Sequence, residues 1–196
     1  MKTKRLLLAM LLLIVGVFNT TGSFVGADAS KHSEVELLAG IYQEIINSDN
    51  PELAFAGLPQ ETQKAMIEAM SHLTYETVVN SDNLRDSLGI TVEVNARSLF
   101  GTIVWRFRQR IEWSYDGFYV TDVSDHHSWG TAVWPWFYRD LIGEAEYGGA
   151  GNTYFTRFSQ GLFEEIIGDV LIDSDTPWID MTVFGDGTDV WSADQG

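Results

Sequence analysis

The chain has 196 residues, no cysteine, and 28 acidic against 12 basic side chains, a net charge of −16. Without cysteine no disulfide can staple the fold, so stability rests on burial, for which a chain of this length suffices. A surface this negative excludes nucleic acid and anionic membrane as direct partners, since their phosphates would be repelled.

Lys2, Lys4 and Arg5 precede a thirteen-residue apolar run, Leu6 to Phe18, and a small, polar stretch then ends in Ala27-Asp28-Ala29. That order is the layout of a secretory signal peptide, and the run is shorter than the roughly 20 apolar residues that span a bilayer. Cleavage is expected after Ala29 or two residues earlier. The protein is then secreted, to the extracellular space or the cell surface, with no membrane span left. Without residues 1–29, nine basic side chains face 27 acidic ones, a net charge of −18 over 167 residues. A saline habitat and plain self-repulsion in a soluble secreted protein account equally for that acidity.

Composition divides the rest of the chain near residue 100. Residues 30–100 hold four aromatics and 101–196 hold nineteen, all seven tryptophans among them. In the first part, Ser33 and Glu36 have the spacing of a capping box. Val35, Leu38, Ile41, Tyr42 and Ile45 then follow at helical spacing, up to Asn50-Pro51. A short helix is expected over 51–56 and another over 59–73, where Met66, Ala69, Met70 and Leu73 form a packing stripe. Residues 30–80 are therefore expected to be a helical segment.

Beyond it the period changes to two. Ile90 to Ala96 alternates, and from Thr102 to Trp113 the rings of Trp105, Phe107 and Trp113 alternate with Arg106, Arg108 and Arg110, as on a half-buried strand. Tyr115-Asp116-Gly117 and Gly185-Asp186-Gly187 are hairpin turns. A Gly-rich loop is expected over 143–152. Phe155, Phe158, Leu162 and Ile166 sit at helical spacing, so a helix is expected over 154–167. The fold class that follows is α+β, with residues 88–196 forming a Trp-rich antiparallel β-sandwich or open barrel of about six strands.

The densest chemistry lies between Ser124 and Asp140. His126 and His127 are adjacent, and on a strand they face opposite ways, so a zinc site there lacks converging ligands. Asp125 is positioned to satisfy one of the two. Asp186 and Asp189 have the oxygen ligands of a calcium loop without its further acids, and Gly-Asp-Gly is a turn on conformational grounds alone. No metal and no cofactor is expected. Trp129, Trp134, Trp136 and Tyr138 are the candidates for stacking on a sugar ring, with Asp125 and His127 beside them. The last three share one parity, so they line either the core or a platform, and Pro135 places them at an edge or in a loop. The arginine stripe is expected to pair with the protein's own acids.

The leading expectation is a non-catalytic binding module for a glycan or another extracellular protein. A secreted hydrolase using carboxylates such as Glu144 with Glu146, or Glu164 with Glu165, is the alternative. A structural or interaction protein is the third. No catalytic sequence motif is present.

Overall fold

The computed structural model describes residues 27–83 and 87–196; of the leader expected over 1–29, residues 1–26 lie outside the described residues. Val35–Gly196 forms one compact unit. The described elements are three helices, α1 (Ala27–Ile46), α2 (Pro51–Ala56) and α3 (Gln60–Ser71), followed by nine strands. Strands β1 (Thr74–Asn83), β2 (Leu88–Arg97), β3 (Ile103–Tyr115) and β4 (Val120–Ala132) make one antiparallel sheet in that order. The second sheet, also antiparallel, runs β5 (Trp136–Gly148), β6 (Tyr154–Ile167), β8 (Trp178–Phe184), β9 (Asp189–Asp194). Strand β7 (Val170–Asp175) pairs with the second half of β6, on the side where β8 pairs with the first half. Among the described residues no helix is long and apolar enough to cross a membrane.

The core forms where the two sheets meet. Trp105, Phe107, Gln109, Ile111 and Trp113 of β3 are buried, and the arginines between them are not. The Trp105 ring stacks on Phe163 of β6 with centroids 4.6 Å apart, and Phe107 meets the same ring edge-on. Rings of this size dominate the burial energy of a small cysteine-free core. Between the rings runs a polar bridge. Gln109 Nε2 donates to the Arg157 carbonyl at 2.8 Å, and Gln109 Oε1 accepts from Ser159 and Ser128. Both the oxygen and the nitrogen of this buried amide are thus engaged, as the low-dielectric interior requires.

Four expectations are corrected. Residues 154–167 are strand β6, not a helix. Its inward positions are Phe155, Arg157, Ser159, Gly161, Phe163 and Glu165, so four of them are polar or lack a side chain, and the period-two hydrophobic signal is erased. Gly161 is required there by close approach: a Cβ would lie 2.9 Å from the Phe107 ring. Residues 143–148 extend β5, which leaves only 149–153 as loop. Residues 74–83, placed inside the helical segment 30–80, are strand β1, an edge strand with most positions exposed and hence little hydrophobic alternation to see. Helix α1 starts at Ala27, so Ser33 lies within it rather than at its cap. The nine strands exceed the expected six for the same reasons.

The two expected hairpins form, β3–β4 and β8–β9. Their tips are joined by a backbone bond from Gly117 N–H to Gly185 C=O at 2.9 Å, and Gly185 N–H in turn bonds to Thr153 C=O of the β5–β6 loop at 2.9 Å. At Gly185 a Cβ would lie 2.4 Å from the Phe118 carbonyl, which explains the glycine.

Candidate binding cleft

Strand β4 ends at Ala132 and β5 starts at Trp136, so the aromatic stretch is split by a turn. Val133 N–H bonds to the Val104 carbonyl at 2.9 Å and Ile166 N–H to the Pro135 carbonyl at 2.8 Å, which ties this turn to both sheets; the Trp134–Pro135 peptide is cis. Trp136, 1% exposed, enters the core, and Tyr138 packs half-buried against Phe163 with centroids 5.1 Å apart. Trp134 belongs to neither group. Its carbonyl accepts the Tyr42 hydroxyl of α1 at 2.8 Å, and its half-buried ring lies 5.3 Å from Phe55 of α2.

Beside Trp134 is a cleft of about 200 Å³. Its other walls are Glu52 of α2, Phe137 and Arg139 of β5, and Ile166, Gly168 and Asp169 where β6 turns into β7. Phe137 and Arg139 share the outward parity of β5, so both reach the same surface. Arg139 lies over the Phe137 ring, 5.6 Å from its centroid, and its Nε pairs with Glu164 at 2.5 Å. This fixes the guanidinium in place. Asp169 has φ 64°, a left-handed conformation that Asp tolerates better than most residues. Glu52 and Asp169 have no ion-pair partner among the described residues. The cleft therefore offers two aromatic faces, one held cation and two unengaged carboxylates.

The remaining candidates lie elsewhere. Trp129 is on the outer face of the first sheet, stacked on His127 with centroids 4.5 Å apart and covered by Arg108 at 5.8 Å. His127 Nδ1 is 2.6 Å from Asp125 Oδ1, and Asp125 is also 3.5 Å from Arg110. The arginine stripe pairs with acids of its own sheet: Arg106 and Arg108 with Glu93, Arg110 with Asp82, Glu112 and Asp125. His126 faces the other way, toward Glu146 at 3.6 Å and the Phe155 ring. The Asp186 carboxylate accepts from Thr188 N–H at 3.0 Å and from its hydroxyl at 2.6 Å, which serves its own turn and holds the carboxyl below its ordinary range. Asp189 opens β9 opposite Val183. Among the described residues no three His, Asp or Glu side chains are grouped to hold a metal ion.

Of the carboxylate pairs of the hydrolase alternative, one separates and the other is engaged by an arginine. Glu164 faces out to Arg139 while Glu165 faces in. Glu144 and Glu146 share a face, and both hold the guanidinium of Arg157. Glu165 is wholly buried, its Oε2 lies 2.8 Å from the Ser71 hydroxyl, and it is pushed up to about 7 by burial, with the Ser71 contact opposing the rise and Asp173 and Asp175 adding repulsion. Burial likewise raises Asp175, against hydrogen bonds from Trp105 at 3.1 Å and Tyr75 at 3.2 Å. No family model, curated protein or solved structure matches the chain.

Sequence reasoning singled out Trp134 and missed the other cleft residues. Phe137 and Arg139 carried a usable signal, their alternate spacing on a strand just after the tryptophan. Glu52 and Asp169 carried none, because they meet only through the packing of α2 beside the β6–β7 turn.

Proposed function

We propose that the chain is an exported, non-catalytic binding module that takes one ring-sized, polyhydroxylated group of a glycan into the cleft beside Trp134. The observation that carries this reading is the composition of that cleft: Trp134 and Phe137 next to Glu52, Asp169 and Arg139. Aromatic faces accept the C–H side of a sugar ring. Carboxylate oxygens accept hydrogen bonds from its hydroxyls and the guanidinium donates to them. At about 200 Å³ the cleft is below the roughly 300 to 1,000 Å³ of sites for drug-sized ligands, so it suits one ring of a longer chain. Export follows from the order of charge, apolar run and small residues at the N-terminus, and is checked by finding Ser30, or Asp28, as the first residue of protein recovered from the medium.

The binding test is a tryptophan-fluorescence titration against a panel of soluble oligosaccharides. At least one is expected to change the emission, and Phe137→Ala is expected to weaken that ligand about tenfold or more with an unchanged melting midpoint. Phe137 is the better probe, since at 39% exposure its loss opens no cavity, whereas Trp134 packs on Phe55. A silent panel, or full affinity in Phe137→Ala, removes the glycan reading.

A further inference from the structure

We propose that Glu165 is a proton-operated latch: its protonated carboxyl holds the C-terminal turn of α3 against the second sheet through Ser71, and its ionisation releases that helix. Proton counting at Ser71 carries the inference. The Ser71 hydroxyl lies 2.9 Å from the Ile67 carbonyl and 2.8 Å from Glu165 Oε2. A hydroxyl has one proton to donate, and a carbonyl only accepts. Both contacts are full hydrogen bonds, rather than two halves of one shared proton, when Glu165 supplies the second proton, donating from Oε2 to Ser71 while Ser71 donates to Ile67.

The other carboxyl oxygen agrees with this assignment. Glu165 Oε1 is buried without a hydrogen-bond partner, which a neutral carbonyl oxygen tolerates far better than half of a buried negative charge. The groups that face Glu165 carry no positive charge. They are Tyr42 from α1, Ser71 from α3, Trp136 directly opposite on β5, and Asp173 and Asp175 from β7. Among the described residues no cation forms an ion pair with it. Ionisation therefore puts a sealed anion beside two further carboxylates and removes one of the two Ser71 bonds. Moving α3 away lets water reach the charge. The link is local to one helix end, since α3 otherwise docks through Met66, Ala69 and Met70. The inference is independent of what the cleft binds.

Amide hydrogen exchange of α3 at pH 5.5 and pH 8.5, corrected for intrinsic rates, tests it. With the carboxyl near 7 when closed and near 4.5 when open, linkage predicts that opening becomes about thirtyfold more favourable between those two pH values. The amides of the last turn of α3, up to Ser71, are expected to lose that much protection and, at pH 8.5, to exchange ahead of those of β3. In Glu165→Gln the amide donates to Ser71 as the protonated acid does, so the loss is expected to vanish. Equal protection of the wild type at both pH values, an equal loss in Glu165→Gln, or exchange of α3 only together with β3 would each overturn the latch. Should Glu165→Gln not fold, a carboxyl-carbon NMR titration of wild-type Glu165 decides: a midpoint near 7 supports the latch, and one between 4 and 5 ends it.

Discussion

The Glu144→Gln/Glu146→Gln double variant is expected to unfold about 3 to 5 kcal/mol more easily than the wild type, although it removes two charges from a protein with a large excess of acids. The reason is which partner can escape. Glu144 and Glu146 side chains are 47% and 39% exposed, while that of Arg157 between them is 9% exposed. Arg157 cannot shed its proton, so without both acids it stays charged, enclosed and uncompensated. Arg157→Met is the reverse case: the acids turn to water, and the aliphatic stem is replaced by one of similar shape. Its cost is expected at about 1 to 2 kcal/mol, within the ordinary range of point substitutions. Urea unfolding of the two variants at neutral pH measures the difference. Equal midpoints would mean that the guanidinium has found water or another acid.

Glu165→Gln is expected to match the wild type near pH 4.5 and to exceed it by about 3 kcal/mol at pH 8. The folded state holds the Glu165 proton up to about 7 against an ordinary 4.5, so the stabilisation is complete below the lower value. It is lost as pH rises through that window, because the unfolded chain gives up the proton first. Glutamine keeps the donor and never ionises, which removes this loss. Asp175, also raised by burial, adds a slope of the same sign in both proteins. Glu76 and Asp116 oppose it: the Arg97 partner of Glu76 and the backbone donors of Asp116 hold those carboxyls below their ordinary range. The comparison of variant with wild type cancels these common contributions. Denaturant midpoints across pH 4 to 8.5 that run parallel for the two proteins would show that Glu165 ionises freely when folded.

How much of this could be seen in the sequence depends on the range over which each feature is decided. In β3 the alternation of Trp105, Phe107, Ile111 and Trp113 with three arginines is set within one strand by the pleat, so strand, inward face and outward charge are all visible locally. The same holds for the Asp116-Gly117 and Asp186-Gly187 turns, where φ is positive at the glycines, and for the adjacency that sends His126 and His127 to opposite faces. The arginine stripe pairs within its own sheet for a related reason: Glu93 stands opposite Arg108 in the register of β2 and β3.

Strand β6 shows where local pattern ends. Arg157, Ser159 and Glu165 are polar on the inward face because Glu144 and Glu146, Gln109, and Ser71 await them on other elements. No window of sequence around residue 160 contains those partners, and the hydrophobic residues that remain mimic a helix. The aromatic stretch divides in the same way. Its parity placed Trp136 and Tyr138 on one face, but Trp134 left that face once the turn before β5 offered it Phe55 and the Tyr42 hydroxyl. By itself the sequence determined the strands whose inner face is apolar, the hairpins and the excess of negative charge. Only the tertiary structure decided which polar side chains are interior, which tryptophan borders a cleft, and that Glu52 meets Asp169 across more than a hundred residues, because burial and close approach are properties of packed pairs rather than of segments.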